Sequence, residues 1–144
     1  MSESKPTLTF IWCTPEELHG YWGLVEQGLA KIKGHTSERW LKEDVYHALK
    51  SAQASLHIGM VGNDYRGFVI MQQLNDYDGK VLHIWCAYSV GEDLLDAGKD
   101  QFMEWAHNIN ARRITFTSPR KGWEKVGPAI GFEPVTIKYE LEVV

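Results

Sequence analysis

The sequence holds only two cysteines and five prolines and contains no long apolar run, and each scarcity narrows what the chain can be. Cys13 and Cys86 stand far apart inside strongly apolar stretches. That placement suits buried free thiols and argues against a disulfide framework or a zinc site. No segment approaches the roughly 18 consecutive apolar residues of a membrane-spanning helix, and residues 1–6 lack the apolar stretch of a secretory signal, so a cytosolic protein is expected. The six histidines show no His-x-x-x-His spacing with a nearby carboxylate, and no metal is expected. A net charge of −4 argues against wholesale nucleic-acid binding. Internal repeats, low-complexity tracts and linkers are all missing. What remains is a chain of 144 residues, 44% hydrophobic and 12% aromatic, which is enough for one core and one domain over residues 1–144.

The pattern of elements follows from periodicity and punctuation. Residues 7–12 alternate and end in bulky side chains, as an opening strand does. Thr14-Pro15-Glu16-Glu17 reads as a helix start, with an N-cap Thr, an early Pro and a Glu to return to the cap. Leu18, Tyr21, Val25, Leu29 and Ile32 continue it to Gly34. A second helix is expected from Ser37, burying Leu41, Val45, Leu49 and Ala52. Gly62-Asn63-Asp64 then turns a hairpin between residues 56–61 and 67–71. After a turn at residues 75–79 comes a central strand, residues 81–90. Leu95, Gly98, Phe102, Trp105 and Ile109 mark a helix over residues 93–110, followed by a strand at residues 113–118 and a short helix at residues 122–130. Val135, Ile137, Tyr139, Leu141 and Val143 alternate with polar residues, which predicts a last strand with one wet face.

This order, together with the run Arg113-Ile114-Thr115-Phe116 through Gly131-Phe132, resembles the GNAT superfamily of N-acetyltransferases over essentially the whole chain. The resemblance implies an α/β (α+β) single domain, a central mixed but mostly antiparallel sheet flanked by about four helices. It also implies a cleft for acetyl-CoA where the fourth and fifth strands splay. The family's phosphate-binding loop corresponds to Ser89-Val90-Gly91-Glu92-Asp93-Leu94, which keeps one glycine and places two carboxylates in the first helical turn. Those carboxylates suit a bare helix dipole and repel a pyrophosphate. Gly91 is therefore read either as a phosphate contact or as a plain turn. The tyrosine that serves many members as general acid has no counterpart, because Gly127 occupies its place, and the family's frequent Asn and Ala fall at Arg120 and Trp123.

The candidate site residues follow from this alignment of elements. Tyr88 and Ser89 are the catalytic candidates, and Ala87, Tyr88, Ser89, Gly91, Arg120, Lys121 and Trp123 are the cofactor-binding ones. Strand alternation would place His83, Trp85, Ala87 and Ser89 on one face, with Leu82, Ile84, Cys86 and Tyr88 on the other. Arg112, Arg113, Arg120, Lys121 and Lys125, against Glu124 alone, form a basic segment able to hold a phosphate or simply to pair with the protein's own acids. Trp123 is a candidate for stacking on an adenine, for anchoring a protein partner, or for packing. Two functions result. One is an acyl-CoA-dependent N-acetyltransferase acting on a small-molecule or protein amine. The other is a catalytically degenerate binding or assembly protein that uses the Arg120-Lys121-Trp123 surface, phage virion-associated or host-interacting, since the chain also looks similar to small phage-encoded proteins of this kind.

Overall fold

The structure is a computed structural model that describes residues 7–144; the stretch read for a leader, residues 1–6, lies outside them. Along the chain the elements are β1 (Leu8–Cys13), α1 (Leu18–Lys33), α2 (Lys42–Lys50), β2 (Ser55–Val61), β3 (Asp64–Asp76), β4 (Gly79–Ser89), α3 (Leu94–Ala97), α4 (Lys99–Asn108), β5 (Arg113–Phe116) and α5 (Trp123–Ala129). The strands form one sheet in the order β1-β2-β3-β4-β5. Every pair is antiparallel except β4 with β5, which is parallel. This is the expected mixed, mostly antiparallel α+β domain.

The sheet divides two cores. On one face α1 and α2 bring Leu18, Val25, Leu29, Val45 and Leu49 against Leu56, Ile58, Phe68 and Ile70. On the other, α3 and α4 bring Leu94, Leu95, Phe102 and Ala106 against Val69, Met71, Leu82 and Ile84. Each large side chain removed from water contributes roughly 1.5–3 kcal/mol before entropy is counted. Both cysteines are buried and free, as their apolar surroundings predicted. Among the described residues no helix is long and apolar enough to cross a membrane.

Local chemistry explains where the elements begin and stop. The Glu17 carboxylate accepts the Thr14 amide at 3.2 Å and its hydroxyl at 2.8 Å, so the first helix opens through a short 3-10 turn at Pro15–Glu17. The second helix starts at Lys42 rather than Ser37 and stops at Lys50. Two interactions hold the preceding loop out of helix. The Lys33 ammonium donates to the carbonyls of Trp40 at 2.5 Å and Glu38 at 3.5 Å, and the Leu41 amide donates to the Asp44 carboxylate at 2.7 Å. Ala52, with φ of 60°, lies past the helix end. The expected helix over residues 93–110 is split at Gly98 into α3 and α4.

The largest departure is at the C-terminal end. Residues 133–144 join no ladder, and the five apolar side chains of the predicted last strand are 73–95% exposed. Alternation marks a strand through its side chains, but a ladder also requires a neighbouring edge. This chain brings none of its own edges to that segment.

Candidate functional site

β4 and β5 run together for only four residue pairs, from Val81 opposite Arg113 to Ile84 opposite Phe116. Beyond Ile84 the next residues of β4 keep β3 as a neighbour and face no β5 partner. The parting coincides with a bulge. Met71 faces Ile84 and Ile70 faces Cys86, which leaves Trp85 as the extra residue on β4. The bulge resets which side chains share a face. Leu82, Ile84 and Ala87 pack on the α4 side, whereas Cys86 and Tyr88 pack on the α1 side. The unbroken alternation expected from sequence is corrected accordingly, because one inserted residue shifts the period of everything after it.

On the α1 side the parting strands carry a polar group of side chains. Tyr88 lies against Phe68, with ring centroids 5.8 Å apart, and over Gly28 of α1, where a Cβ would come within 2.9 Å of the tyrosine ring. Its hydroxyl accepts a hydrogen bond from the Lys31 ammonium at 3.1 Å. His83 Nδ1 and the Thr115 hydroxyl are 2.8 Å apart across the two strands. Over them stands Glu38, from the loop between α1 and α2, whose carboxylate accepts the Thr117 hydroxyl at 3.3 Å. Burial lowers the His83 pKa, and the Glu38 charge opposes that shift. The same two influences act together on Cys86, where burial and then Glu38 push the thiol far up, so it remains an inert core group. Tyr65, on the neighbouring strand, is pushed up to about 12 by burial and then by Tyr88, and its buried hydroxyl has no partner among the described residues. Sequence reasoning missed Glu38 and Lys31. Glu38 belongs to a loop with no periodicity, and Lys31 reads as an ordinary exposed helix position.

At the far end of β4, Ser89 and the loop into α3 with Gly91 hold two more of the candidates. The Ser89 hydroxyl accepts the Leu94 amide at 3.0 Å, and the Asp93 carboxylate accepts the Leu95 amide at 2.9 Å. Two of the amides that an anion would seek are therefore taken by the chain itself. Positive charge comes from elsewhere. Gly91 has φ of 82°, and a Cβ there would lie 3.1 Å from the Arg66 guanidinium. Arg66 Nε is buried without a hydrogen-bond partner among the described residues. A cavity of about 170 Å³ opens beside it, lined by Leu8, Val61, Arg66, Glu92, Leu94 and Ala97. Arg66 was not among the expected site residues, because in sequence it is one charge in a hairpin strand.

No family profile matches the sequence, and no curated protein matches it. Solved structures do. A ribosomal-protein-alanine N-acetyltransferase from Brucella melitensis biovar Abortus 2308 is similar at 15% identity and a TM-score of 0.68, over 95% of this chain and 100% of that one. A predicted acetyltransferase from Clostridium acetobutylicum, solved with acetyl-CoA, is similar at 13% identity and 0.67, over 94% and 96%. The aminoglycoside N-acetyltransferase AAC(6')-Iy, solved in complex with CoA, is similar at 19% identity and 0.65, over 99% and 100%. The chain has the GNAT acetyltransferase fold.

Within the GNAT fold the closing segment of this chain has its own chemistry. Arg120 and Lys121 are exposed, and neither side chain forms an ion pair among the described residues. The amides of Trp123, Glu124 and Lys125 donate to the carbonyls of Arg120, Lys121 and Gly122, so α5 offers side-chain charge but not those amides. Trp123 packs edge-on against Phe116 at 4.8 Å between centroids. Arg112 and Arg113 serve the turn after β3 instead: Arg112 Nε donates to the Asp78 carbonyl, and Arg113 pairs with Asp76 and Asp78. Gly127 is buried, and a Cβ there would stand 3.0 Å from the Phe132 carbonyl. Its own carbonyl accepts the Phe132 amide at 2.8 Å, a turn that leaves no room for a tyrosine.

Proposed function

We propose that this chain transfers an acetyl group from acetyl-CoA to an amine. The observation that carries the reading is the parting of β4 from β5 beyond Ile84 and Phe116, at a bulge. Backbone amides and carbonyls released from a ladder inside a domain need new partners, and the amide-bearing arm of a CoA ester supplies them. Bound acetyl-CoA would contribute an activated acyl thioester.

The protein's residues take the remaining roles. The backbone N–H groups of Ala87 and Ser89, on the edge of β4 away from β3, would hold the cofactor arm and polarise a carbonyl, while that of Tyr88, between them, faces β3. The Arg66 guanidinium, which lies beside Gly91 and whose Nε has no partner among the described residues, suits the phosphate end. Arg120 and Lys121 add exposed positive charge, and Trp123 keeps Phe116 in place below them. Glu38, an acid above the parting strands, accepts a proton from an incoming ammonium, since only the free amine is a nucleophile. Tyr88 accepts from Lys31, which leaves its own O–H proton free to be donated to a departing thiolate.

Two of the similar structures are named for a ribosomal-protein alanine and for aminoglycosides as acceptors. A cationic amine of either kind suits the Glu38 side of the cleft. Thermal unfolding with acetyl-CoA, CoA and ATP tests the proposal. A ligand at a hundredfold excess over its dissociation constant stabilises by about 2.7 kcal/mol. Upward shifts with acetyl-CoA and CoA but not ATP support the reading, and no shift at saturating cofactor sinks it.

A further inference from the structure

A second cavity, of about 190 Å³, opens on the α4 side of the sheet, the face opposite Tyr88. Met71 and Leu82 of the α4-side core supply part of its apolar lining, and the Trp105 indole of α4 supplies an aromatic surface. That indole is fixed by three other rings, with centroids at 5.5 Å for Phe10, 5.9 Å for Phe102 and 4.4 Å for His57. A flat surface is therefore ready-made, with little rotamer freedom left to lose on binding. The polar lining includes the carboxamides of Gln73 and Asn108, both exposed, and among the described residues it contains no Asp, Glu, Lys or Arg. His57 adds no charge at neutral pH, because burial lowers its pKa to about 4. Its Nε2 lies 3.0 Å from the Ser55 hydroxyl, whereas its Nδ1 is buried with no partner among the described residues. A buried polar atom of that kind calls for a partner.

We infer that this cavity binds an uncharged, single-ring heteroaromatic molecule with an amide or lactam edge, its ring on Trp105 and its edge hydrogen-bonded to Gln73 and Asn108. Three features choose that class. The volume is below the roughly 300–1,000 Å³ of pockets for drug-sized ligands, which limits the occupant to one ring. Carboxamides offer donors and acceptors side by side, and an amide or lactam edge presents the matching pair. A lining without ionised groups disfavours carboxylates and ammonium groups, since a charge taken out of water needs a partner. The site lies across the sheet from the proposed acetyl-transfer chemistry, and the inference does not depend on that reaction.

Amide NMR of the full-length chain, titrated with uracil and with nicotinamide at millimolar concentration, is the test. One or both should shift the Trp105 indole N–H and the Gln73 and Asn108 side-chain amides in a saturable way, leaving the Gly91 amide in place. Orotate and nicotinate, the carboxylate counterparts of the two probes, should leave those signals unmoved. Absence of a saturable shift at Trp105 with either neutral ring overturns the inference, as do equal shifts with the carboxylates. Gln73→Ala with Asn108→Ala is expected to weaken binding roughly tenfold or more. Both side chains are exposed, so the fold is retained. Unchanged affinity in that variant overturns the site.

Discussion

Thr117 and Glu38 meet across the mouth of the parting strands, the threonine hydroxyl donating to the carboxylate at 3.3 Å. This contact ties the α1–α2 loop to the end of β5 and sets an acid where an amine would arrive. Glu38→Gln keeps the shape and removes the base. A general base contributes roughly 10²–10⁴-fold, and a loss of that order in kcat/KM is expected at pH well below the amine's own pKa. The loss should shrink as pH rises, because a free amine needs no base. Parallel pH profiles for the variant and the wild type would remove Glu38 from proton transfer.

Gly28 shows how closely α1 lies on β4. A Cβ there would collide with the Phe68 ring and stand 2.9 Å from Tyr88, whereas nothing lies within 4 Å of a Cβ at Gly20 or Gly23. Alanine in an exposed helix interior usually stabilises by about 0.5–1 kcal/mol over glycine. Gly20→Ala and Gly23→Ala should therefore raise Tm. Gly28→Ala should lower it, by about 1–3 kcal/mol in stability, as overpacking outweighs propensity. Denaturant unfolding of the three variants provides the comparison, and equal gains at all three positions would contradict the packing described.

Arg66 is expected to supply charge that the first-turn amides of α3 cannot, two of them being bonded to Ser89 and Asp93. Arg66→Ala should weaken acetyl-CoA binding roughly tenfold, the scale of one lost charge-assisted hydrogen bond. Arg120→Ala with Lys121→Ala should weaken it less, and mainly at low salt, because both side chains are exposed. Calorimetric titration at two ionic strengths distinguishes the two sites. Unchanged affinity in the Arg66 variant would place the phosphates elsewhere.

His57 predicts an acid sensitivity. Burial lowers its pKa from 6.5 to about 4 in the folded chain, where its Nε2 lies 3.0 Å from the Ser55 hydroxyl and its ring lies on Trp105. Between those values the unfolded chain binds a proton that the folded chain refuses. The associated stability is fully present above about pH 6.5 and falls as pH drops towards about 4, by on the order of 3 kcal/mol at most. His83, lowered for the same reason, adds in the same direction. His57→Gln should flatten the fall of Tm between pH 7 and pH 5, and an unchanged slope would assign the acid sensitivity to other groups.

Much of this protein could be read from its residues in order. The capping chemistry of Thr14 and Glu17, the glycine turn at Gly62, the apolar stripes of α1 and α4 and the burial of both cysteines are local or statistical facts, and all are seen in the structure. They were enough to order the elements and to point to the GNAT fold. The late start of α2 was not legible, because Lys33 reaches forward to the Glu38 and Trp40 carbonyls through a contact that helix propensity does not register.

By itself, then, the sequence determined the order of the elements as far as the short helix before Gly131, because periodicity and caps act within a few residues. Only the tertiary structure decided which side chains face the proposed cleft. One extra residue at Trp85 turns Cys86 and Tyr88 to the α1 side, and its position depends on the register between β3 and β4. Glu38 and Lys31 reach the parting strands from a loop and from α1, and Arg66 reaches Gly91 from β3, so only long-range packing brings each to its place. The strand pattern at residues 135–143 is the complementary case: the side chains are specified along the chain, but a hydrogen-bonded ladder needs an edge, and none of the described strands pairs with that segment.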